Sequence, residues 1–103
     1  MAFAISINNN IYELNGNLTT VNITQVKKYF EVIMQMKKVI SISLENVQKI
    51  DVPSLYELRN LMLYAKTKVR KINYINRPGN VVEKIIEDER LDFFCFNYLK
   101  ISA

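Results

Sequence analysis

A chain of 103 residues with a net charge of +4, half of it hydrophobic and with only two glycines and two prolines, is long enough to bury one core and too apolar for disorder; one domain over residues 1–103 is expected. It contains no histidine, which removes the usual proton shuttle and the commonest metal ligand near neutral pH, and its single cysteine, Cys95, excludes an internal disulfide framework and reads as a buried free thiol. The longest apolar stretches, such as Leu61 to Ala65 and, interrupted by Asp92, Leu91 to Phe96, fall far short of the ~20 residues that cross a bilayer. Residues 1–10 lack the basic start and apolar segment of a secretory signal, so the expected location is cytoplasmic.

In chain order, Phe3, Ile5 and Ile7 alternate with Ala4 and Ser6, which predicts a strand with one apolar face. Asn8-Asn9-Asn10 can adopt positive φ in a tight turn, and Ile11 to Asn15 is a second extended run, so the pair reads as an antiparallel hairpin. After Gly16, the spacing of Ile23, Val26, Phe30 and Ile33 predicts an amphipathic helix from about Ile23 to Met36, with Asn22 and Gln25 as a capping box. Val39 to Leu44 alternates again and is a third strand. A second helix is expected from about Pro53 to Lys66, with Leu55, Leu58, Met62 and Ala65 inward; Asp51 caps its start and Pro53 needs no N–H there. Lys71 to Asn76 is a fourth strand, Asn80 and Glu83 open a short helix carrying Val82, Ile85 and Ile86, and Phe93 to Tyr98 is a fifth strand.

The order ββαβαβαβ predicts a single α/β domain with a mostly parallel five-stranded sheet and an antiparallel first strand. Because the strands alternate rather than run continuously apolar, one sheet face should be more solvated, with the helices mainly on the other. The exposed first strand, at the sheet edge, offers a route to a homodimer.

Motifs for chemistry are missing. Gly16 and Gly79 form no nucleotide-binding pattern. Glu87, Asp88 and Glu89 are consecutive on a helix and face different directions, so they read as a solvated turn rather than a metal site. Lys37, Lys38, Lys66 and Lys68 gather at the ends of the first two helices, where cations offset the negative end of the dipole, and with Arg70 and Lys71 they make a candidate positive rim along one edge of the sheet. No aromatic residues are interleaved there for base stacking, so no nucleic-acid partner is expected. No metal or cofactor is expected, and an enzyme would have to use Asp51, Glu45 or Tyr56 without the usual helpers.

The run from Val39 through Ser43-Leu44-Glu45 and Ile50-Asp51-Val52-Pro53-Ser54-Leu55 resembles the central signature of STAS domains, the module of sulphate transporters and anti-sigma-factor antagonists. In that family a buried strand leads to an Asp-Ser-Ser-Gly-Leu type helix start. Leu14-Asn-Gly-Asn-Leu18 is similar to the family's turn after strand two, and Ile72 to Asn80 to its fourth strand and following loop. The resemblance implies a non-catalytic protein-interaction module. In sigma-regulating members a serine at the start of helix two is phosphorylated by a partner kinase, which controls binding. Here Val52 and Pro53 occupy the two serine positions and Ser54 the glycine position, so the usual phosphoacceptor is missing and Ser54 is the one weak candidate left. The implied partner surface comprises Asn17, Leu18 and Thr19, then Asn46, Val47 and Gln48, then Asp51, Val52, Pro53, Ser54 and Leu55, and finally Arg77, Pro78 and Gly79. All should gather where strand carboxyl ends meet helix amino ends. Within this reading the partner is an anti-sigma kinase-like protein or a membrane lipid-transport ATPase. A reading from another class makes the chain a small-molecule or lipid carrier, with Phe93, Phe94, Phe96 and Tyr98 lining an apolar cavity.

Overall fold

The computed structural model describes residues 3–91 and the backbone of Asn97 and Tyr98. The hairpin forms as expected. Asn9 and Asn10 take φ of 52° and 63°, the left-handed conformation that a two-residue turn demands and that asparagine tolerates better than most residues. They join β1 (Ala4–Asn8) to β2 (Ile11–Leu18), which pair antiparallel with Asn8 opposite Ile11.

β2 runs past its expected end at Asn15 because Gly16, at φ 111°, bends the strand without ending it. Upstream of the bend, Ile11 to Glu13 pairs parallel with β3 (Val39–Ser43). Downstream, Gly16 to Leu18 pairs parallel with β4 (Val47–Ile50), a short strand where the sequence suggested a loop. Helix α1 (Ile23–Ile33) crosses from β2 to β3, and α2 (Val52–Thr67) leads from β4 to β5 (Lys71–Asn76). Helix α3 (Val81–Asp88) follows, and β6 (Asn97–Tyr98) pairs parallel with the end of β5. The sheet order is β1-β2-β3-β5-β6, with β4 beside the far half of β2. The mostly parallel sheet with an antiparallel first strand is thus as expected, with β4 added. Cys95, Phe93, Phe94 and Phe96 lie outside the described residues.

Alternation along the strands sets the two faces. Tyr12, Leu14, Ile40, Ile42, Ile72 and Tyr74 are buried on one side, beneath the Val26, Phe30 and Ile33 stripe of α1 and the Leu55, Leu58, Leu61 and Ala65 stripe of α2. Burying each large aliphatic side chain supplies about 1.5–3 kcal/mol, which makes this face the main source of stability. Ile11, Glu13, Asn15, Ser41 and Asn73 on the opposite face are only half-buried, and there Asn15 and Glu13 bond to Ser6 across the hairpin. The helices therefore cover mainly one face, as the alternation implied.

Local details correct two expectations. Asn22 makes no side-chain cap for α1; its Oδ1 accepts from the Thr19 N–H and its Nδ2 donates to the Asn17 carbonyl, closing the loop behind it instead. Helix α1 ends at Ile33 rather than Met36, because Met34 to Met36 tighten into a turn whose Met34 carbonyl accepts from Arg70 Nε at 2.6 Å. A cation at this carbonyl offsets the negative end of the α1 dipole, a role the sequence pointed to in the neighbouring lysines rather than in Arg70. Lys27 and Glu57 tie α1 to α2 at 2.6 Å; hydrogen bonds from Lys27 and Asn60 hold the Glu57 carboxyl below its ordinary value, although a pair this exposed adds little stability.

Beneath the helices, the buried Tyr74 phenol donates to the Leu58 carbonyl at 2.6 Å, and burial pushes its pKa well up. Tyr74→Phe should keep the ring packing and lose this bond, lowering stability by about 1 kcal/mol in urea denaturation with an unchanged m-value.

Candidate functional site

Asp51 is extended (φ −95°, ψ 161°) between β4 and α2. One carboxylate oxygen accepts from the Ser54 N–H at 2.9 Å, capping α2; the other accepts from the Thr20 N–H at 3.0 Å, in the loop that leads into α1. Its own N–H donates to the Leu18 carbonyl at the end of β2. A single residue thus joins the ends of β2 and β4 to the start of α2. Partial burial by itself would raise the Asp51 carboxyl, but the hydrogen bonds from Ser54 and Thr20 outweigh it and hold the group below its ordinary value, because they favour the charged form.

The other end of β4 borders an open groove of about 640 Å³, whose lining includes Asn15, Glu45, Asn46, Gln48, Arg77 and Asn80. Its walls are fixed by local bonds. Asn80 caps α3 through the Glu83 N–H and reaches across to the Leu44 carbonyl. Glu83 returns a bond to the Gly79 N–H, where φ is 79°, a conformation that suits glycine. The Asn46 carbonyl accepts from Gly16, and its side chain donates to Asn15.

The residues implied by the resemblance therefore fall at one end of the sheet, but β4 divides them. Thr19, Asp51, Val52 and Pro53 lie at its end; Asn46, Gln48 and Arg77 line the groove at its start, with Pro78 and Gly79 directly after Arg77. Asn17, Asn46, Gln48, Pro53, Arg77, Pro78 and Gly79 are exposed, and Thr19, Asp51 and Val52 half-buried. Leu18, Ser54 and Leu55 have no exposed surface and support this end from beneath, while the buried Val47 still lines the groove. Thr20 and Asn80 are additions. Asn80 was legible as a cap, whereas Thr20 contributes a backbone N–H that no side-chain pattern reveals.

Ser54, the remaining phosphoacceptor candidate, has no exposed surface, and its hydroxyl lacks a hydrogen-bond partner. The side chain of Asn76 is likewise buried and unpaired. Ser54 lies one helical turn before Leu58, and Asn76 two residues beyond Tyr74, which bonds Leu58. Each step is about 6 Å toward the same end, so both unpaired groups sit beneath the surface that begins at Asp51. Among the described residues no cluster of carboxylates or cysteine could hold a metal ion, and no helix is long and apolar enough to cross a membrane.

No protein-family profile and no curated protein sequence matches the chain. Solved structures do. A candidate anti-sigma factor antagonist from Thermotoga maritima superposes with a TM-score of 0.66 at 23% identity, covering 96% of this chain and 87% of the other. The anti-sigma factor antagonist SpoIIAA in its unphosphorylated form gives 0.64 at 11% identity, covering 98% and 90%. A protein from Shewanella loihica with a SpoIIAA-like fold gives 0.54 at 14%, covering 96% and 84%. The fold expected from the STAS resemblance is the fold observed.

Two substitutions probe this end. Asp51→Ala should cost about 1 kcal/mol at neutral pH by loss of the cap. Because the folded carboxyl is held low, that contribution is present above about pH 4 and is lost as pH falls through the folded value, so wild type and variant should converge in acid when their denaturation midpoints are compared. Ser54→Ala, which removes an unpaired buried hydroxyl, should raise stability by about 1 kcal/mol in the same assay.

Proposed function

We propose that this chain is a non-catalytic protein-interaction module that docks a partner protein through the opening of α2 and the loops beside it. The observation that carries this reading is the Asp51 clasp: it presents half-exposed Val52 and exposed Pro53 on a fixed backbone, so little ordering cost remains to be met on binding. The likeness to anti-sigma factor antagonists supports the same use of the fold.

The docking end is constitutive rather than switched. Val52 and Pro53 cannot accept a phosphoryl group, and the burial of Ser54 keeps its hydroxyl from a kinase unless the first turn of α2 opens. A phosphate there would place roughly two negative charges inside the core. The groove beside Arg77 extends the surface toward α3, with Arg77 as a cation for a carboxylate on the partner.

Tagged chain should retain a partner from lysate of its native cell, and Pro53→Glu or Arg77→Glu should each reduce the yield of that same partner at least about tenfold, or about 1.4 kcal/mol. Lys71→Glu, at the opposite end of the sheet, should not. Equal capture by all four proteins would remove the proposed surface.

A further inference from the structure

The free edge of the sheet carries a second surface, independent of the first. β1 pairs only with β2 among the described strands. Since Asn8 and Ile11 close a two-residue hairpin, Asn8, Ser6 and Ala4 direct their backbone groups toward β2, while those of Ile7, Ile5 and, one step before the strand, Phe3 point outward. Exposed edges are normally guarded by charge, proline or a bulge. Here no Asp, Glu, Lys, Arg or proline occurs before Glu13, and the β1–β2 register is unbroken. Ile7 is 58% exposed at this edge. Beside it, an open groove of about 350 Å³ between β1 and α1 is lined by Phe3, Ala4, Ile5, Val26 and Tyr29 with the neutral Asn22 and Gln25, and has no charged residue in its walls.

We infer that β1 is a self-association edge, pairing antiparallel with β1 of a second copy about a twofold axis through Ile5. This register places Ile7 of each copy opposite Phe3 of the other and uses every outward N–H and C=O from Phe3 to Ile7. The exposed isoleucine of one copy then reaches the Phe3, Ile5, Val26 and Tyr29 side of the uncharged groove of its mate. A second copy is the occupant because β1 is itself the uncharged, alternating, extended segment that the edge and groove accept, and a twofold pairing makes the surface complementary to itself. Net charge opposes the pairing, since two chains of +4 repel each other, but the uncharged edge brings no like-charged side chains of the two β1 strands together. A ribbon this short buries less than the ~1,200 Å² of a standard interface, so the dimer is weak, with a dissociation constant on the order of 100 µM.

Sedimentation equilibrium of the chain from micromolar to millimolar concentration tests the inference. The wild-type mass should rise toward twice the monomer value, while Ile7→Lys and Ile7→Pro should each weaken association at least about tenfold. Ile7 is exposed and its N–H points away from β2, so both variants should fold, which circular dichroism checks. Persistent monomer at millimolar concentration would overturn the inference, including the case where the monomer instead binds an unrelated extended peptide at this edge. Dimerisation undiminished in both variants would also overturn it.

Discussion

The organisation of the candidate site rests on one carboxylate. Asp51 receives the amides of Ser54 and Thr20 while its own amide bonds to Leu18. Without the charged side chain the first turn of α2 would keep unpaired N–H groups, and the loop into α1 would lose its tie to β4. The geometry also accounts for the depressed acidity: partial burial disfavours the anion, but the interactions of Ser54, through side chain and backbone, and of the Thr20 backbone stabilise it more. Rigid strands beneath, anchored by Leu14, Leu18, Ile42 and Leu44, hold the three segments in place.

Fold and site place different demands on the same sheet. On the helix-covered face, packing is dense and the Tyr74 hydroxyl finds the Leu58 carbonyl. Toward the carboxyl end of the strands this satisfaction fails, since neither Ser54 Oγ nor the Asn76 amide has a partner. A buried polar atom without a partner costs about 1–3 kcal/mol, so this end is less stable than the core around Tyr74. Incomplete satisfaction beneath the proposed docking end is where a fold departs from its own optimum.

Much of the architecture was legible because each element carries its own physical signal. Asn9 and Asn10 announce the hairpin, Asp51 and Pro53 announce α2, and period-two alternation places Ile40, Ile42, Ile72 and Tyr74 on one face. β4 was illegible for an equally physical reason. In Val47-Gln48-Lys49-Ile50 the two buried positions are three apart, which does not alternate, and the strand exists only because the bend at Gly16 offers it an edge of β2. Asn22 carried a cap-like signal, but its side chain bonds backward into the loop, a competition typical of asparagine near helix starts. Within the site, residue types revealed Asp51 and Asn80; they could not separate exposed Pro53 from buried Ser54, because that depends on how the helix turns onto the sheet.

The most direct test of the Asp51 clasp is an NMR pH titration that follows the amide protons of Thr20 and Ser54. Both should shift together, with a common midpoint below the ordinary aspartate value, because both report the ionisation of one carboxylate. If Thr20 failed to titrate while Ser54 did, Asp51 would be a helix cap alone, and the clasp on which the proposed docking end is built would not exist.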